Sequence, residues 1–150
     1  MKTFDNRDWI KGAGAWLGSV FLMSIAFGVF INVEKMRQGT FPDYPSANFF
    51  DEVVGWALIS VAFVAFASLI FALPALIAAR SAGPLSLTKM LALGAVTGSI
   101  GACLTGAPMI AETTAGWEDF AALGLACGIV GAVAWWFLYE RSRSMMLNAG

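Results

Sequence analysis

Four long apolar runs constrain this chain more than anything else in it: about Gly14–Val33, Val53–Ala79, Leu87–Ile110 and Phe120–Tyr139. None carries a charge in its middle, and Lys89 stands only at the entrance to the third. A helix needs about 20 mainly apolar residues to cross the ~30 Å hydrocarbon core of a bilayer. In lipid every backbone polar group must find its partner inside the segment, which a helix provides. The runs therefore predict an all-α chain: one integral membrane four-helix bundle formed by a single domain over residues 1–150. Composition agrees. Apolar residues make up 59% and charged residues 13%, whereas soluble domains carry roughly 45–50% and about 25%. Too little polar surface remains to cover a water-soluble core.

The first run reads as an uncleaved anchor. It is longer than a signal-peptide core, Asp5 and Asp8 interrupt the basic flank, and bulky residues come after it instead of a small-x-small cleavage site. Pro74, near the end of the second run, predicts a kink there.

Orientation follows from Lys and Arg in the flanks. Lys2, Arg7, Lys11, Arg80, Lys89, Arg141 and Arg143 fall on one side, which is seven of the nine; only Lys35 and Arg37 fall on the other. Both termini are thus expected in the cytoplasm, with the chain in the cytoplasmic (inner) membrane. Glu34, Asp43, Asp51, Glu52, Glu112, Glu118 and Asp119 make the outer face acidic. Trp16, Trp135, Trp136 and Tyr139 mark the inner boundary, and Trp56 and Trp117 the outer.

The third and fourth runs share a pattern, G-x-x-x-G-x-x-G-A. Gly94, Gly98 and Gly101 in one match Gly124, Gly128 and Gly131 in the other, with Ala102 and Ala132 next in line. Glycine costs about 1 kcal/mol relative to alanine in a water-exposed helix. Between membrane helices it permits the close backbone approach that drives association. The short connection 111–119 predicts an antiparallel hairpin with the two glycine faces together. Pairing about Thr113 sets Gly98 level with Gly128, Gly94 near Gly131 and Gly101 near Gly124. The same glycines could instead line a groove for a lipid or cofactor. Weaker small-residue stripes are Gly14 with Gly18, and Ser68 with Ala72, Ala75 and Ala79.

Candidates for chemistry are few. Histidine is absent, which removes the commonest general base and metal ligand. No ionisable residue sits mid-span to mark a proton or ion path. No phosphate loop, nucleophile elbow or metal-ligand spacing occurs. Cys103 and Cys127 are offset by about four residues, roughly 6 Å, in the predicted register and lie off the glycine face, so they read as small apolar fillers. The hydroxyls of the spans, and Asn32, are expected to bond back to their own helix or a neighbour. No catalytic, cofactor or metal residue is assigned.

The outer connection, residues 34–52, carries Phe41, Tyr44, Phe49 and Phe50. These aromatics suit either the bilayer interface or a docking surface for an outer partner. A net charge of −1 gives no argument for nucleic acid. The embedded glutamate of small exporters, the paired outer cysteines of thiol oxidases and the histidines of haem anchors are all missing. The expected role is non-enzymatic: an accessory subunit, assembly factor or scaffold that meets the lipid bilayer and a membrane-protein partner or a second copy of itself. The alternative is an oligomeric channel or transporter component with an acidic outer vestibule.

Overall fold

The computed structural model describes residues 6–39, 48–81, 83, 85–110 and 116–141. All regular structure among them is helical. The helices are α1 (Asn6–Arg37), α2 (Phe49–Ala67), α3 (Leu73–Ser81), α4 (Leu87–Ile110) and α5 (Trp117–Trp135). A π-helical turn, Ser68–Ala72, joins α2 to α3, and a second, Trp136–Glu140, extends α5. Four helices are long and apolar enough to cross a membrane. They fall into two pairs by length. α1 has 32 residues and the continuous rod Phe49–Ser81 has 33; α4 has 24 and Trp117–Glu140 also 24.

Local chemistry sets the helix ends, which is why helices overrun the apolar runs. At Gly39 (φ 68°) the chain leaves α1 in the left-handed region, with its N–H donating to the Met36 carbonyl. Asn48 caps α2 by accepting the Phe50 N–H at 3.0 Å, and Asp51 and Glu52 lie in the first turn, where the helix dipole favours acids. Asp119 reaches back to accept the Gly116 N–H at 2.9 Å and starts α5.

Pro74 produces a widened turn. It has no N–H to donate, and its ring crowds the carbonyl four residues back, at Ile70. The turn before it loosens to π spacing, and the Leu73 N–H donates to Ser68. One inserted residue rotates the rest of the rod by about 100°, which breaks up the stripe read on this segment: Ser68 is buried, but Ala72, Ala75 and Ala79 are only half-buried. The second π turn has no proline, and nothing in its sequence explains it.

α5 packs on α4 along most of its length, and α1 packs on both α5 and α2. α4 also meets the π turn before Pro74. Leu76, Met90 and Ala132 form a small buried core at the end of the bundle that carries the termini.

The α4–α5 contact is backbone against backbone. A Cβ built on Gly98 would strike the Gly124 carbonyl oxygen and lie 2.8 Å from the Gly128 Cα. One on Gly94 would strike the Gly128 carbonyl and lie 2.7 Å from the Ala132 Cβ. Gly124 and Gly128 face the Gly98 and Gly94 carbonyls in return, and Ala102 lies 2.6 Å from a Cβ on Gly124. The seam is therefore Gly94, Gly98 and Ala102 against Gly124, Gly128 and Ala132.

Gly101 and Gly131 take other partners than the sequence pairing assigns them. Gly101 faces the Phe71 ring, 3.2 Å from a built Cβ, and Gly131 faces Met23 of α1. The reason is angular. At 100° per residue, Gly98 and Ala102 lie about 40° and 80° round from Gly94, and Gly101 about 20° the other way. A contact centred on Gly98 takes Gly94 and Ala102 and leaves Gly101 about 60° off; the same holds on α5. On α1, a Cβ built on Gly28 would strike the Val53 carbonyl and lie 3.3 Å from the Ala57 nitrogen, whereas one on Gly14 would have nothing within 4 Å.

This geometry separates two glycines that look alike in sequence. Gly128→Ala must displace backbone and should cost about 1–3 kcal/mol, the range for overpacking. Gly131→Ala meets only the flexible Met23 side chain and should be near neutral. Thermal unfolding of both variants in one detergent checks this; equal destabilisation would contradict the seam.

Candidate functional site

Most hydroxyls inside the spans are occupied by carbonyls of their own helix. Ser19 donates to the Ala15 carbonyl at 2.8 Å, Ser24 to Val20 at 3.0 Å and Ser60 to Ala57 at 3.0 Å. Thr97 and Thr105 donate to Leu93 and Gly101, at 2.8 and 2.7 Å. Two hydroxyls link helices instead. Ser99 donates across to the Ala121 carbonyl at 3.1 Å. Ser68 accepts the Trp16 indole N–H at 3.0 Å while donating to Ala65 at 2.8 Å, tying α1 to the π turn.

Ser24, Gly28 and Asn32 recur at four-residue spacing and line a buried strip of α1, with Ser24 and Asn32 fully enclosed. Asn32 donates its amide to the Gly28 carbonyl at 2.8 Å. Its Oδ1 has no hydrogen-bond partner among the described residues. A buried acceptor left unmade costs about 1–3 kcal/mol.

Charged and aromatic side chains cluster at both ends of the bundle. At the α1–α2 end, Lys35 pairs with Glu52 at 3.5 Å and stands 4.9 Å from the Trp56 ring centre. Nearby, Arg37 grips Glu34 through two hydrogen bonds of 2.6 and 2.8 Å. At the opposite end Arg80, closing α3, meets Glu140, closing the rod of α5. The Arg80 Nε donates to Glu140 Oε1 at 3.0 Å, its Nη2 donates to the same oxygen, and the Trp135 indole adds a third donor at 3.4 Å. The guanidinium lies 4.8 Å from the Tyr139 ring centre and 6.0 Å from that of Trp135. Glu140 is only 13% exposed. This cluster holds the last turns of α3 and α5 together.

The residues singled out in the sequence meet different fates. Gly94, Gly98, Gly124 and Gly128 come together; Gly101 and Gly131 pack on Phe71 and Met23. Phe50 is exposed at 68% and Phe49 lies at the edge of exposure, while Phe41 and Tyr44 fall outside the described residues. The two thiols are free and engage different helices: Cys103 donates to the Trp117 carbonyl at 3.8 Å, and Cys127 to that of Met23 at 3.6 Å. Among the described residues no three His, Cys, Asp or Glu side chains gather as a metal would require.

Sequence reasoning used Arg80 only to orient the chain and missed its pairing with Glu140. The signal for it was opposite charge at the same boundary, next to a run of aromatics. Comparison with protein-family models, curated proteins and solved structures returned no match.

A double-mutant cycle checks the Arg80–Glu140 pair. Arg80→Gln and Glu140→Gln should each destabilise, and the double variant should cost less than their sum by about 1–3 kcal/mol, as for charge-assisted contacts out of bulk water. Additive losses in thermal unfolding would make the pair ornamental.

Proposed function

We propose that this chain is a non-catalytic accessory subunit, assembly factor or scaffold of a complex in the cytoplasmic membrane, with both termini in the cytoplasm. The observation that carries this reading is how the spans use their polar atoms. Ser19, Ser24, Ser60, Thr97 and Thr105 all donate their hydroxyls to carbonyls of their own helix. Polar groups satisfied this way stiffen and shape a helix but offer no ladder of ligands to a solute crossing the membrane. What the bundle offers instead is contact surface: small-residue seams inside and large apolar side chains such as Leu58, Phe63 and Phe66 outside. The residues of the glycine seam serve in this reading as packing elements of the G-x-x-x-G type.

Purification of the full chain from its native membrane in mild detergent should bring down a stoichiometric membrane-protein partner. A protein that runs alone, together with solute flux in liposomes holding only this chain, would favour the channel alternative. The same liposomes should be silent if the accessory reading holds.

Topology has its own test. A reporter active only outside the cytoplasm should be silent when fused after Gly150 and active when inserted at Gly39, because basic flanks stay inside. The reverse pattern would invert the bundle.

A further inference from the structure

The nine-residue helix α3 lies between two weak joints. At its start the π turn reroutes the backbone hydrogen bonds. The Leu73 N–H goes to the Ser68 carbonyl, and Pro74 has no N–H to give. The Leu69 carbonyl therefore receives neither the donor an α turn would offer it nor the one a π turn would. Bending at this turn breaks fewer bonds than bending an ordinary one. At the other end, the Gly83 N–H closes onto the Arg80 carbonyl at 3.2 Å, and Gly83 takes a φ of 130°, which favours glycine.

The first joint is itself pinned from two sides. Ser68 accepts the Trp16 indole N–H of α1, and the Phe71 ring lies against Gly101 of α4. Beyond the joint the packing thins. Leu76 is the one buried residue of α3, set on Met90 of α4 and Ala132 of α5, while Ile77 and Ala78 are exposed. One turn after Leu76, Arg80 reaches Glu140. Glu140 ends the second π turn, whose inserted residue rotates it about 100° from where an unbroken α-helix would aim it.

We propose that α3 is a hinged flap: it pivots at the π turn before Pro74, shuts on Met90 and Ala132, and is latched by Arg80 on Glu140. Both widened turns then serve one device. The first lets α3 move against a fixed fulcrum, and the second presents the carboxylate that holds it. Opening uncovers Met90, which is 4% exposed with the flap shut, and parts α3 from α5 with the α4–α5 seam still in place. The device rests on the packing of this chain and not on the accessory role, so either can fail without the other.

Hydrogen–deuterium exchange of the full chain in detergent, read by mass spectrometry, tests it. Amides of Leu73–Ser81 should exchange about tenfold or more faster than those of the seam, with a step in rate at the π turn. Arg80→Gln should speed α3 by about a further tenfold, the effect of losing a charge-assisted hydrogen bond. Gly124→Ala, which loosens the seam, should speed exchange there and leave the α3 rate unchanged, because the flap opens without parting the seam. Met90→Cys, with Cys103→Ala and Cys127→Ala, reads the same opening through a water-soluble maleimide, and Arg80→Gln should quicken its labelling about tenfold. A rise in α3 exchange equal to that of the seam in Gly124→Ala would overturn the proposal, since α3 would then open only with the whole bundle. So would a smooth gradient of rates with no step at the π turn, or unchanged α3 exchange and Met90→Cys labelling in Arg80→Gln. If Arg80→Gln does not fold, Glu140→Gln removes the same latch from the other side and carries the same expectations.

Discussion

Where α4 crosses α5, two peptide backbones touch with no side chains between them, at Gly94 and Gly98 on one side and Gly124 and Gly128 on the other. In lipid, apolar surface gains nothing by leaving its solvent, so helices are held in contact by dispersion and weak polar forces at short range. Glycine carbonyls facing Cα atoms supply both, since each Cα–H···O contact contributes about 0.5–1 kcal/mol. The rest of the bundle builds outward from this pair. With α5 seated on α4, its Gly131 and Cys127 present a smooth strip to Met23 of α1. α1 in turn sets Gly28 against the backbone of α2 at Val53 and Ala57. Phe71, on the π turn, closes the circuit by filling the space beside Gly101.

The ends of the bundle work by other means. There the chain meets water and headgroups, and long charged side chains over aromatic rings replace close backbone contact. Arg80 joins Glu140, Trp135 and Tyr139 across two helices that are 60 positions apart in sequence. Lys35 joins Glu52 and Trp56 at the far side. Each cluster ties one pair of helix ends, so shear between neighbouring helices has to break a charged contact as well as slide a seam.

Helix number and the small-residue character of α4 and α5 were legible because hydropathy over about 20 residues and glycine at four-residue spacing are local signals. The distribution of the glycines among their partners was less so. A four-residue and a seven-residue spacing both look like one face on a helical wheel, and only the crossing direction decides between Gly101 and Ala102 as seam residues. The buried strip Ser24, Gly28, Asn32 has the same spacing as the seam, but its two polar members mask it in a reading that looks for glycine alone. The π turns were out of reach in different degrees. Pro74 announces a disturbance without saying whether the chain bends or widens, and the turn at Trp136–Glu140 has no marker residue at all. The Arg80–Glu140 contact depends on where that second turn leaves Glu140, so it inherits the same obscurity.

The unequal lengths of the two helix pairs have a mechanical consequence. Met23 of α1 is level with Cys127 of α5, through the contact between its carbonyl and the Cys127 thiol. From there α1 runs 14 residues to Arg37, while α5 has 10 to its start at Trp117. Four residues of helix are about 6 Å. The ends of α1 and α2, with Arg37, Glu34 and Glu52, therefore stand about one helical turn proud of the α5 start. From Gly98, which faces Gly124 and Gly128, α4 runs 12 residues to Ile110 against about nine from that level to the α5 start, so among the described helix ends that of α5 is the recessed one, flanked by the charged ends of α1 and α2.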